Sequence, residues 1–148
     1  QQPVELTLTE FADAFALLVC SAASLADLNV RLAAKGQPRI TIERFRPNIV
    51  VEGLADAHGE DFIDTLTIES AEGPVVLKLV KPCSRCSIPD VDPVTAVPGH
   101  AVTDAMSAYR ANARVGGALA FGQNAVIVSG VGHRLHVGAN VQAELAFD

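Results

Sequence analysis

At 148 residues the chain is long enough for one domain with a real core and too short for two ordinary ones. Aromatics are 5% and Trp is absent, so Val, Leu, Ile and Ala must fill the core with six Phe, while a net charge of −6 argues against a general nucleic-acid binder, which needs surplus Lys and Arg. Three Cys, an odd count, speak against a disulfide-stapled secreted domain, and no apolar run approaches the roughly 18 residues that span a bilayer, so a cytoplasmic protein without signal peptide, nucleic-acid partner or membrane partner is expected.

Leu17-Leu18-Val19-Cys20 is a short apolar run that predicts a buried strand. Ser24 then reads as an N-cap with Asp27 as its acidic partner. Leu25, Leu28 and Leu32 follow at i, i+3 and i+7, so a helix is expected over 25–34, ended by Gly36 with Pro38 beyond. From there the period changes to two. Ile40 and Ile42 around Thr41, the dense Ile49-Val50-Val51, and Leu66 and Ile68 between threonines all read as strands. Val75 to Val80 predicts another strand after the turn-like Ala71-Glu72-Gly73-Pro74. A helix is expected at 101–112, with Val102, Ala105, Met106 and Tyr109 on one face. Ala125–Val128 and Leu135–Val137 are strand-like, and Val141, Ala143, Leu145 and Phe147 alternate with their neighbours, with Gly130, Gly132 and Gly138 supplying turns. The sum is a mainly-β domain with two or three peripheral helices, a barrel rather than a βαβ sandwich.

Two stretches break this amphipathic pattern. In Arg44-Phe45-Arg46-Pro47-Asn48, two Arg at i and i+2 of an extended segment point to one side, and Pro47 keeps Arg46 out of a helix. Paired guanidinium groups suit a phosphate or carboxylate, with Asn48 adding an amide; ion pairs with Glu43, Glu60 or Asp61 are the plainer alternative. The second stretch is Lys81-Pro82-Cys83-Ser84-Arg85-Cys86. Structural zinc needs four ligands, for which the chain otherwise offers Cys20 and the scattered His58, His100, His133 and His136. A reactive dithiol needs a helix starting at the first Cys, which Ser87-Ile88-Pro89-Asp90 does not propagate. A single thiolate ligand for a soft metal, favoured by Lys81 and Arg85, is the third explanation, and two inert buried thiols the plain one. Spacing alone leaves them open. Glu60-Asp61 reads as a solvated or Arg-paired loop, His133 and His136 as surface residues, and Gly122 of Phe121-Gly122-Gln123-Asn124 as a turn or a point of close approach to a ligand.

Taken in order, Arg44-Phe45-Arg46-Pro47-Asn48, Glu60-Asp61, Lys81-Pro82-Cys83-Ser84-Arg85-Cys86, Val91-Asp92-Pro93 and Phe121-Gly122-Gln123-Asn124 resemble the MOSC family, the C-terminal domain type of molybdenum-cofactor sulfurases and of the amidoxime-reducing molybdoenzymes with their bacterial relatives. Ser21 to Asn29 also matches the family's strand-to-helix segment, so the resemblance runs from about residue 11 to 147. It implies a single MOSC-type β-barrel domain over 1–148, corresponding to the C-terminal portion of full-length members, so that the barrel is incomplete. It further implies a molybdenum-molybdopterin cofactor, with Cys86 as catalytic metal ligand and Arg44, Arg46, Asn48, Ser84, Arg85, Asn124, Asp13, Ala14 and Phe15 as cofactor contacts. The reaction implied is reduction of N-hydroxylated small molecules by oxo transfer, with electrons from a separate electron-transfer protein; the alternative is a non-catalytic or truncated module that binds cofactor or relays sulfur as a persulfide on Cys86. The pattern departs from the family where Phe62 and Ile63 replace a usual Trp, Asp90 a Thr, and Ala96 a Gly.

Overall fold

A computed structural model of the chain describes residues 5–7, 17–85 and 90–146. The chain packs as two compact units, one from segments 1–17, 62–80 and 124–148, the other from 18–61 and 81–123. Its strands are β1 (Glu5–Thr7), β2 (Leu17–Ser21), β3 (Ile49–Val51), β4 (Ile63–Ile68), β5 (Val75–Ser84), β6 (Ala120–Ser129), β7 (Arg134–His136) and β8 (Val141–Leu145), with helices α1 (Ala22–Ala34) and α2 (Ala101–Ser107). Six strands hydrogen-bond in the order β3-β2-β6-β5-β4-β8, and β1 pairs with β7 in a separate ribbon. The described residues are therefore mainly β with two α-helices, as the alternating sequence predicts. No described helix is long and apolar enough to cross a membrane.

The larger unit is organised around β2, whose five residues are all buried. A strand buried along its whole length needs cover on both faces and partners on both edges. One edge pairs in parallel with β3 through Val19↔Ile49, Cys20↔Val50 and Ser21↔Val51. Between these strands runs α1, which buries Ser24, Leu28 and Leu32 at intervals of four. Its N-cap is Ser21, three residues before the expected Ser24, because Ser21 Oγ accepts from the Ser24 backbone amide at 3.1 Å. Asp27 pairs instead with Arg31 one turn on, at 2.9 Å. The helix closes as expected at Gly36: Gln37 N donates to Leu32 O and Gly36 N to Ala33 O, with Gly36 at φ +69°.

The strand expected around Ile40–Ile42 is absent. Asn29 of α1 satisfies Ile40 on both sides, its Oδ1 accepting from Ile40 N at 2.8 Å and its Nδ2 donating to Ile40 O at 3.0 Å. With those groups taken, no partner strand is needed, and Ile42–Phe45 coils into a 3-10 helix. The helix expected at 101–112 stops at Ser107, although Val102, Ala105 and Met106 are buried on one face as predicted. Two other predicted strands start or end elsewhere: β5 continues through Pro82-Cys83-Ser84, and β6 begins at Ala120, taking in Phe121 to Asn124.

In the smaller unit β4 lies between β5 and β8, antiparallel to both. Ile63, Leu66 and Ile68 are buried although Ile63 has the wrong parity for strict alternation. A bulge between Ile63 and Thr65 in the pairing with β8 resets the face. All five residues of β8 are exposed, so its alternation marks a strand without marking a buried face.

Candidate functional site

Phe45 is the anchor of the Arg44–Asn48 turn. It is fully buried and stacks on Phe121 with ring centroids 3.8 Å apart and planes 9° from parallel. Driving that side chain inward bends the backbone, and Arg46 follows in a left-handed conformation at φ +54°. The segment is therefore not extended, and the expectation of two Arg on one side fails for that reason. Arg44 is largely buried, its Nη2 3.8 Å from Asp92 Oδ2, while Arg46 is exposed. Asn48 closes the turn: its Oδ1 accepts from Leu18 N at 2.7 Å and its own N donates to Leu18 O at 3.0 Å. That leaves the amide NH2 of Asn48 for any ligand.

Arg85 joins this turn to the end of β5. One guanidinium nitrogen donates to Phe45 O, and the other terminal nitrogen lies 3.2 Å from Cys83 Sγ. The guanidinium also lies over the Phe45 ring, 5.2 Å from its centroid. Arg85 N donates to Leu119 O at 2.8 Å, which fixes its backbone as well. Its buried Nε has no acceptor among the described residues, an orphan donor of the kind a bound acceptor satisfies. Ser84 is exposed beside it. Cys86, Asp13, Ala14 and Phe15 lie outside the described residues, and Asn124 is half-buried in β6, in the smaller unit. Arg46, Ser84 and the Asn48 amide are the donors that these two segments, tied together by Arg85, leave exposed, and donors of this kind suit an anionic, heteroatom-rich group such as a pterin phosphate.

A second polar assembly was not legible in advance. Glu60 is completely buried. Its carboxylate accepts from Ser21 N at 2.9 Å, Ser21 Oγ at 3.0 Å and Ser24 Oγ at 2.7 and 2.9 Å, while Ser24 Oγ accepts from His58 N at 2.8 Å. Neither Glu60 nor Asp61 pairs with Arg44 or Arg46, among the described contacts. Asp61 instead takes Arg110 Nη1 at 3.0 Å and Gln123 Nε2 at 2.8 Å, and Arg110 Nε donates to Ala120 O at 2.6 Å. Arg110 lies four residues after buried Met106, a spacing that could have flagged it. Beside it, His58 is buried with both ring nitrogens unpartnered by described residues, edge-on to Tyr109 and Phe121. Burial, and secondarily the Arg110 charge, push its pKa below the ordinary value.

Asp90 is buried and accepts from Val102 N at 2.9 Å, Thr103 N at 3.1 Å and Thr103 Oγ1, so it caps α2 in place of His100. Asp92 Oδ1 accepts from Val94 N at 2.8 Å and Thr95 N at 3.2 Å, and these amides hold its carboxyl below the usual carboxylate range. Ala96, where the resemblance leads one to expect Gly, sits at φ +60°, a conformation that costs any residue with a Cβ. Gly122 serves close approach, though to β2 rather than to a ligand: a Cβ there would lie 2.8 Å from Cys20 Sγ and 2.9 Å from Val19 O. Cys20 itself is inert, its thiol pushed up to about 12 by burial. Among the described residues no group of three or more His, Cys, Asp or Glu is placed to hold a metal ion.

Comparison with known proteins agrees with this architecture. Over 87 residues the chain is 46% identical to human mitochondrial amidoxime-reducing component 1 and 45% identical to human mitochondrial amidoxime reducing component 2. Each match covers 59% of this chain and 23% of the relative, so the chain matches under a quarter of those proteins' length. YiiM from Geobacillus stearothermophilus shares the fold, with a TM-score of 0.53 at 14% identity over 96% of this chain and 60% of that one. The MOSC domain profile matches residues 8–142, and the chain belongs to the MOSC domain family.

Proposed function

We propose that this chain is the cofactor-holding portion of a molybdenum-dependent reductase of N-hydroxylated compounds, with Cys86 as the molybdenum ligand. The observation that supports it best is the Arg85 hydrogen bond to Phe45 O, which ties together two segments 40 residues apart in sequence. The family resemblance assigns both segments to the same group. The relatives' names, amidoxime-reducing components, indicate the reaction class.

In this proposal Arg46 and Ser84 grip the anionic end of the pterin, and the Asn48 amide and Arg85 Nε add neutral and charged donors. The family resemblance names Asn124 and the segment Asp13-Ala14-Phe15 as further cofactor positions, and Arg44 acts at the turn's inner side through Asp92. When bound, the molybdenum cofactor supplies two-electron oxo transfer. The chain's own residues hold the ligand: the Phe45–Phe121 stack keeps water from behind the turn, and Arg85 sets the spacing between the turn and β5. Overall an amidoxime takes up two electrons and two protons and leaves as amidine plus water. The electrons come from a separate electron-transfer protein. We place the protein in a reducing, cytoplasmic compartment on its odd cysteine count.

The test uses the chain produced in molybdenum-replete cells, benzamidoxime as substrate and reduced methyl viologen as donor. Amidine formation is expected, with loss of at least a hundredfold in Cys86→Ser. Molybdenum-loaded protein that leaves benzamidoxime untouched would overturn the reading, and a persulfide trapped at Cys86 in place of metal would favour sulfur relay.

A further inference from the structure

Strand β8 ends the six-strand order, and among the described residues no strand pairs with its outer edge. Two bonds beyond the ends of the β4–β8 ladder fix which residues face which way: Glu69 N donates to Asn140 O at 3.0 Å, and Ala146 N to Phe62 O at 2.8 Å. Backbone groups along an antiparallel strand point alternately to the partner and away from it. Gln142 and Glu144 therefore turn their N–H and C=O to β4, while Val141, Ala143 and Leu145 turn theirs outward.

The side chains of the same three residues carry a second feature. They stand opposite Ile68, Leu66 and Ile63, the residues that β4 buries. Yet Val141 is 39% exposed, Leu145 56%, and Ala143 is exposed as well. An apolar face thus runs on past its cover to an edge with open backbone groups. Such an edge is a template for another strand unless proline, charge or a bulge blunts it. Strand β8 has no proline, the bulge lies on the β4 side, and the one charge, Glu144, is on the opposite face.

Val141-Gln142-Ala143-Glu144-Leu145 fits a copy of itself run antiparallel. With a two-fold axis at Ala143, outward backbone groups meet outward ones throughout. On the apolar face Val141 meets Leu145 of the second copy, and Ala143 meets Ala143. On the polar face Gln142 meets Glu144, amide against carboxylate, and no like charges are opposed. Thr65 Oγ1 donates to Glu144 Oε2 at 3.3 Å, which leaves Oε1 for that amide.

We propose that β8 is a self-association edge, through which two copies of this chain pair antiparallel about an axis at Ala143. The contact is isologous and closes on itself, so it ends at a dimer. It stands independently of the reductase reading. One five-residue edge buries less than the roughly 1,200 Å² of a stable interface, so the dimer is weak and forms with rising concentration.

Sedimentation velocity of the whole chain, from about 10 to 500 μM to suit a weak interface, should show the sedimentation coefficient climbing toward that of a dimer. Gln142→Glu sets two carboxylate pairs against each other across the axis and should weaken association about fivefold. Adding Glu144→Lys to that variant turns both contacts into ion pairs and should restore association, which repair of a folding defect would not do. Ala143→Pro removes an N–H that points away from β4, and should give a folded monomer. A wild-type chain that stays monomeric throughout leaves the edge to a different polypeptide and overturns the proposal. So does a dimer that Gln142→Glu and Ala143→Pro both leave unweakened.

Discussion

Two polar assemblies in the larger unit are built on opposite plans. Around Glu60, two hydroxyls and two backbone amides converge on a buried carboxylate and a serine, and the carboxylate has donors on both oxygens. Along the Arg44–Asn48 turn and the end of β5, donors outnumber their acceptors: Arg46 and Ser84 face solvent and Arg85 Nε is unmatched among the described residues. A matched buried network holds a fold, because each lost partner strands another polar group. Exposed donors such as those of Arg46 and Ser84 cost little to leave open and are suited to a ligand, whereas the Arg85 Nε is buried and costly to leave unmatched. The first assembly sets where β2 hands over to α1, and the second is where we look for chemistry.

Removing the matched carboxylate tests the first half of this contrast most severely. Glu60→Ala strands Ser21 N and both serine hydroxyls, and should lose about 3 kcal/mol or more in urea unfolding. A loss under about 1 kcal/mol would show that the corner is not held by Glu60. Gly122→Ala comes next, at roughly 2 kcal/mol, because the new Cβ meets Val19 O as well as Cys20 Sγ and the backbone is left-handed there. Cys20→Ala in the same chain should restore part of that loss, since only the sulfur clash is relieved.

A smaller effect concerns acid. His58 is pushed below its ordinary pKa of 6.5 by burial. The unfolded chain therefore takes up a proton near that pH which the folded chain refuses, so stability should fall as pH drops from 7 through 6.5 and below. His58→Asn, which tolerates the left-handed backbone at φ +58°, should flatten that dependence; an unchanged slope would assign the acid sensitivity elsewhere. Smallest for stability is Arg46→Ala, within about 0.5 kcal/mol of wild type because the side chain is exposed. Its pterin retention should nonetheless fall more than in Arg44→Ala, as read by pterin fluorescence after acid release. Equal retention in the two variants would break the contrast between held and open donors.

How much of this was legible depended on range. The Leu28–Leu32 face of α1 and its closing Gly36 are local patterns, and they appear where the sequence predicts. The N-cap lies at Ser21, not at the expected Ser24, because the Ser24 hydroxyl answers to Glu60, 36 residues away. Ile40 and Ile42 have strand spacing, but the Asn29 amide removes the need for a strand partner. The Arg44 and Arg46 side chains are divided by the burial of Phe45, whose stacking partner Phe121 comes 76 residues later. Segment identity was readable, whereas Glu60 and Asp90 act through partners that no local pattern announces.

The central claim is that the turn at 44–48 and the end of β5 hold one molybdenum-bearing group through Cys86. The most direct measurement is the molybdenum-to-protein ratio, by plasma mass spectrometry, of the chain and its Cys86→Ser variant purified from molybdenum-replete cells. The account predicts a ratio approaching one for the wild-type chain and near zero for the variant, with the same circular dichroism in both. Equal molybdenum in the two proteins, or none in either while both are folded, would contradict it.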